Sequence, residues 1–306
     1  MQLLAGVGTA SSPKSGYFGG GILTGGFLTA VIDKLDYSAE TKTTLSATLT
    51  TARQHLAGMA NSGVAGYFGG GADAGGTLSA IDKITFPADT KTTLAATLTA
   101  VQRVLTAMAN SSVAGYFAGG GYTFTNRIDK ITFPADTKTT LAATLTNSKG
   151  YSGAMANNSV AGYVAGGFDF TTQFNTIDKI AFPGDTKTTL AATLTETSFG
   201  GAGFANSGVA GYFAGFYSTG FQNRIDKITF PADTKTTLAA TLSTATTSFG
   251  SNANTGVAGY FGGGSDGGDL TRIDKIAFPS DTKSTLAAVL TAAVQTLTGF
   301  ADCGVF

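Results

Sequence analysis

The chain has 306 residues, 43 of them glycine, with only 12% charged residues and Lys plus Arg equal to Asp plus Glu at 19 each. This balance excludes both the basic stripe that nucleic acid calls for and an acidic solvating tail. Gly, Thr and Ala in such excess disfavour a helical protein and point to a tightly turned all-β fold.

The opening segment MQLLAGVGTA is apolar but lacks a basic leader, and no run is long enough to span a bilayer, so no signal and no membrane insertion are expected. Within it "LLAGVG" (3–8) looks like a first, innermost strand. From there the chain repeats. An Ile-Asp pair marks Asp33, Asp82, Asp129, Asp178, Asp226 and Asp274, in steps of 47 to 49 residues, and a Gly-Tyr pair marks Tyr17, Tyr67, Tyr116, Tyr163, Tyr212 and Tyr260. Six units of about 48 residues predict a single domain over 1–306, a six-bladed β-propeller with four antiparallel strands per blade.

One unit shows the four predicted strands in order: "LAGMAN", "VAGYFGGG", "IDKITF" and "TTLAATLT", each bounded by turn formers. The first is crowded with small residues, as an axial position requires. The second is apolar on both faces, Val64 and Phe68 opposite Ala65 and Tyr67, and reads as buried between neighbouring sheets. The fourth alternates Leu94, Ala96 and Leu98 with threonines, as an outer edge would. In "FPADT" (86–90), Pro suits a type I turn and Asp can bond back to the backbone. The recurrent Asp and Lys of "IDK" and "DTK" are expected to form exposed pairs, each contributing about 0–1 kcal/mol.

Because strands in a blade alternate in direction, the loops joining second to third strands share a face with the links to the next blade, and it is there that the copies differ. The turns "NSGVAG" and "FPADTK" on the other face barely change. The variable loops carry a group of aromatics in blades three to five: Tyr122, Phe124, Phe168, Phe170, Phe174, Phe216, Tyr217 and Phe221. These are the candidate binding residues, as a contact surface for a protein or a sugar or, alternatively, as a plug over the axial channel. At the far end "TLTGFADCGVF" (296–306) looks like another first strand, one more than six blades need. It is expected to close the N-terminal blade; the alternatives are that the surplus strand pairs with another chain or that the chain is part of a longer array.

The phrases "GYFGGG", "IDKITFPADTKTTLAATLT" and "LAGMANSG" resemble a degenerate kelch motif, with its Gly pair, its third-strand acid and an Arg after the fourth strand (Arg53, Arg103), but without the kelch tryptophan. They also resemble repeat arrays of phage virion structural and tail-fibre proteins from phages of aquatic bacteria. That resemblance implies a virion or extracellular location, with partners among other virion subunits or host surface glycans.

Catalytic sets are scarce. The lone His55 leaves no two-histidine metal site and no more than one nucleophile–base pair. The copper-radical oxidases built on kelch propellers need paired His and a crosslinked Cys, which His55 and Cys303 do not supply. Two glutamates, Glu40 and Glu196, and five dispersed arginines give no glycosidase constellation, and Asp266 and Asp269 in a Gly loop are a weak calcium signal. No enzyme activity, cofactor or metal is expected. The leading expectation is a non-enzymatic attachment propeller of a phage particle; the alternatives are a polymerising extracellular filament or adhesion subunit and a lectin-like binding module.

Overall fold

The structure, a computed structural model, describes residues 14–303. These form six four-stranded antiparallel sheets, one per repeat, whose innermost strands contact one another in a closed circuit: a six-bladed β-propeller. In blade 2 the order from axis to rim is Ala57–Asn61, Ala65–Gly69, Ile81–Thr85 and Thr90–Thr93. Blade 1 draws on both ends of the chain. Its innermost strand is Thr298–Ala301, paired antiparallel with Ser15–Gly19, and Ile32–Asp36 and Thr41–Thr44 follow outward. The strand expected at 3–8 lies outside the described residues.

Packing explains the composition. Near the axis a Cβ added to Gly58 would lie 2.8 Å from the carbonyl oxygen of Gly299. The second strands are buried apart from Tyr217 at the end of that of blade 5, and the tyrosine of each Gly-Tyr pair stacks on the aromatic ring that precedes the next blade's outer turn, Tyr67 on Phe133 at 5.2 Å for example.

Three local expectations are corrected. The outermost strand of blade 2 is Thr90–Thr93; the alternating Leu94–Leu98 stretch lies beyond it, in the link to blade 3, where Leu98 is buried. Val64 stands outside its strand and is exposed. In the outer turns of blades 2 to 6 the Phe–Pro bond is cis, and the aspartate does not serve its own turn. Asp89 instead accepts hydrogen bonds from blade 1, from the Tyr17 hydroxyl at 2.7 Å and Lys34 Nζ at 2.7 Å.

The charges are therefore seam fittings rather than exposed pairs. On the turn face, Lys34–Asp89, Lys83–Asp136, Lys130–Asp185, Lys179–Asp233 and Lys227–Asp281 each join one blade to the next, and Lys275–Glu40 closes the circle. Toward the variable face, the aspartate of every "IDK" is buried. Asp82 accepts the Thr50 amide at 2.8 Å and the Thr50 hydroxyl at 2.6 Å from the link leaving blade 1, and the Thr93 hydroxyl at 2.7 Å from its own outer strand. The same grip recurs around the ring through Asp129, Asp178, Asp226, Asp274 and, from Thr291, Asp33.

Burial by itself would raise the Asp82, Asp178 and Asp274 carboxyls. Hydrogen bonds from the linking Thr or Ser, together with nearby cations, outweigh it and hold all three below the usual carboxylate value. A depressed folded-state pKa means stability that is fully present above the unfolded value, about 3.9, and lost as pH falls through the folded one. The unfolding temperature is therefore expected to fall steeply below about pH 4, as read by scanning calorimetry. Asn at all three positions should flatten that acid limb; a limb of unchanged steepness would contradict the assignment.

Candidate functional site

The variable face is built from the second-to-third loops and the interblade links. At its centre the first residues after the links meet around the channel: His55, Val104, Tyr151, Gly200, Ser248 and Thr296. All six have left-handed backbones, with φ between 55° and 76°. For β-branched Val104 and Thr296 that conformation is costly, about 1–3 kcal/mol each. What holds them is a closed circuit of backbone hydrogen bonds. His55 N–H donates to Thr296, Val104 to His55, Tyr151 to Val104, Gly200 to Tyr151, Ser248 to Gly200 and Thr296 to Ser248, over 2.6–3.0 Å. The ring residues and the opening residues of the six inner strands together line a cavity of about 110 Å³.

Around the mouth runs a chain of aromatic rings. Phe124 of blade 3 and Phe170 of blade 4 stack with centroids 4.0 Å apart and planes 3° from parallel. Phe170 meets Phe168 edge-on at 6.2 Å, Phe168 stacks on Phe199 at 5.2 Å, Phe199 leans on Tyr217 at 5.5 Å, and Tyr217 meets Phe221 edge-on at 5.5 Å. Tyr151 joins the chain to the channel ring, edge-on to Phe124, Phe199 and His55. Beside it Tyr122 is 72% exposed, its face 5.5 Å from the Arg103 guanidinium carbon, and Phe170 is 58% exposed.

The structure thus brings together Phe124, Phe168, Phe170, Tyr217 and Phe221 of the expected group, with Tyr122 alongside; Phe174 is half-buried and makes none of these ring contacts. Phe216 is not on the surface. Blade 5 has longer second and third strands, Ala210–Tyr217 and Phe221–Thr229, and a register shift between Ala214 and Phe216 sends that ring into the core. The sequence reading weighed His55 only as a catalytic or metal group and passed over Tyr151 and Phe199, all three on links. The signal was there: "NSKGYSG" and "TETSFGG" carry aromatics just before the inner strand, as does the link to blade 6 with its buried Phe249.

The site is apolar rather than acid–base in character. Burial and the Arg103 charge pull the His55 imidazole down to about 4, so it is neutral at pH 7. Among the described residues no three His, Cys, Asp or Glu side chains are grouped to hold a metal ion. No protein-family model matches the chain, and no curated protein matches it.

Proposed function

We propose that this protein is a non-enzymatic attachment protein of a phage virion, a kelch-like tail-fibre or surface-decoration propeller that presents its variable face to a host surface glycan or to another virion protein. The observation that carries the binding reading is the ring chain spanning blades 3 to 5, with Tyr122 and Phe170 open to solvent. Rigid flat rings bury apolar area at low entropic cost, which suits the C–H face of a sugar or a protein patch. The virion setting rests on the resemblance of the repeat phrases to phage structural arrays. The pairing of Thr298–Ala301 within its own ring speaks against a filament joined by exchange of that C-terminal strand.

Replacing Tyr122, Phe170 and Phe221 together by Ala is expected to leave the unfolding temperature nearly unchanged and to abolish binding to host cells, to glycans on an array or to purified virion proteins. Intact binding by the triple variant would overturn the role of the face. Absence of the disc from cryo-electron microscopy maps of purified particles would overturn the virion setting.

A further inference from the structure

The six buried aspartates have one common cation, the lysine of the adjoining outer strand, and five of them have a second. Arg53 reaches Asp82 at 3.0 Å, Arg127 reaches Asp129 at 3.9 Å, Lys149 reaches Asp178 at 3.7 Å, Arg224 reaches Asp226 at 3.7 Å and Arg272 reaches Asp274 at 3.4 Å. This second cation comes from one of two places. It either stands two residues before the aspartate, as in Arg127, Arg224 and Arg272, or three residues after the linking Thr, as in Arg53 and Lys149. Where one place is basic the other is neutral: Gln102, Ser198 and Thr246 accompany the first arrangement, Ala80 and Thr176 the second. Each of these five seams therefore carries a single extra cation.

At the seam between blades 6 and 1 both places are valine, Val31 and Val294. Asp33 is nonetheless only 5% exposed. Among the described residues its one cationic partner is the common lysine, Lys42, at 3.6 Å. Where the second cation would lie there is instead a cavity of about 200 Å³, walled by Phe18, Leu23, Val31, Leu290 and Val294, with Asp33 among its lining residues. The space is ample for more than a water molecule and too small for a drug-sized ligand. Leu23 and Ala292 on its lining are partly exposed.

We propose that this cavity binds a guanidinium group on a short alkyl stem, held by Asp33 and the carbonyl of Phe18. The template is within the same molecule: fully buried Arg53 donates from one nitrogen to Asp82 Oδ2 at 3.0 Å and to the carbonyl of Phe68, the counterpart of Phe18, at 3.1 Å. One such nitrogen carries two hydrogens, enough for a carboxylate and a carbonyl side by side, and the guanidinium keeps its charge when desolvated. An ammonium suits such a seam less well, since burial pulls Lys149 down to about 8 against the pull of Asp178. The guanidinium can come from a free small molecule or from an arginine side chain of another protein.

The test is calorimetric titration of the full chain with n-propylguanidinium and, separately, with a capped Gly-Arg-Gly peptide, n-propylammonium serving as reference. One-to-one binding of the guanidinium probe is expected, at least tenfold tighter than the ammonium. Asp33→Asn should weaken it at least tenfold. Val294→Arg, which places a guanidinium in the cavity from within, should abolish it and raise the unfolding temperature; this variant decides the matter if Asp33→Asn does not fold. Peptide binding tighter than the free probe would assign the arginine of a partner chain as the source, and the reverse a small molecule. No binding of either probe by the unaltered chain, or binding undiminished in Val294→Arg, would overturn the proposal.

Discussion

Asp82→Ala is expected to cost about 3–5 kcal/mol of stability, the usual effect of removing one member of a buried ion pair. Asp82 and Arg53 are both fully buried, and the guanidinium already has two nitrogens, Nε and Nη1, without hydrogen-bond partners. Taking away the carboxylate leaves a desolvated cation in the seam and also orphans the Thr50 amide that Asp82 accepts. The effect should come mainly from what is left behind, which the double variant Asp82→Ala/Arg53→Met can show. Without the stranded charge most of the loss should be recovered, since apolar replacements of a buried pair are often neutral or better. Urea denaturation of the single and double variants reads both. A double variant no more stable than Asp82→Ala would mean that the Thr contacts, not the cation, dominate this seam.

Phe300→Ala is expected to be as severe, about 3–5 kcal/mol for a phenyl ring removed from a packed core. Phe300 has no exposed surface and lies 4.6 Å from Phe68, 5.3 Å from Tyr17 and 6.2 Å from Phe86, ring to ring. It also sits on the strand that closes the ring without a covalent connection. Phe204 supplies the control, because it holds the equivalent position in blade 5, 4.6 Å from Phe261 and 5.3 Å from Tyr212, in an unbroken chain. Both alanine variants should lose similar thermal stability, but only Phe300→Ala should make the C-terminal end sensitive to limited proteolysis. Equal protease resistance would mean that the closing strand does not depend on this ring. Gly66→Val probes the same pocket from the other side, since even a Cβ there would come within 2.0 Å of the Phe300 ring; overpacking of this kind costs about 1–3 kcal/mol or somewhat more.

The repeat period, the four strands and the division into a constant and a variable face were legible because each rests on a pattern that recurs within one unit. The outer strand was misplaced because Thr90–Thr93 is polar and mostly exposed, with no alternation to announce it, whereas Leu94–Leu98 alternates for a different reason: its leucines plug the link. The buried aspartates were read as surface charges because their partners sit about 30 residues away in another repeat, as Thr50 does for Asp82, and nothing local to "IDK" shows that a threonine hydroxyl will meet it. The aromatic surface was located by blade but not by residue. Phe216 turns inward through a register shift, and Tyr151 and Phe199 reach the face from links whose left-handed corner is created only when six blades close.

That corner has an electrical consequence. Six residues that each donate from their own N–H and accept at their own C=O, in a single rotational sense around a circle, form a loop of hydrogen bonds whose in-plane dipoles cancel. Unlike a helix end, which concentrates partial charge, this rim has spent every inward donor and acceptor on its neighbour and exerts little pull of its own on an arriving ion or sugar. Discrimination at the mouth thus passes from backbone to side chains: an imidazole, a phenol, two hydroxyls, an isopropyl group and one hydrogen, mounted on six nearly identical brackets.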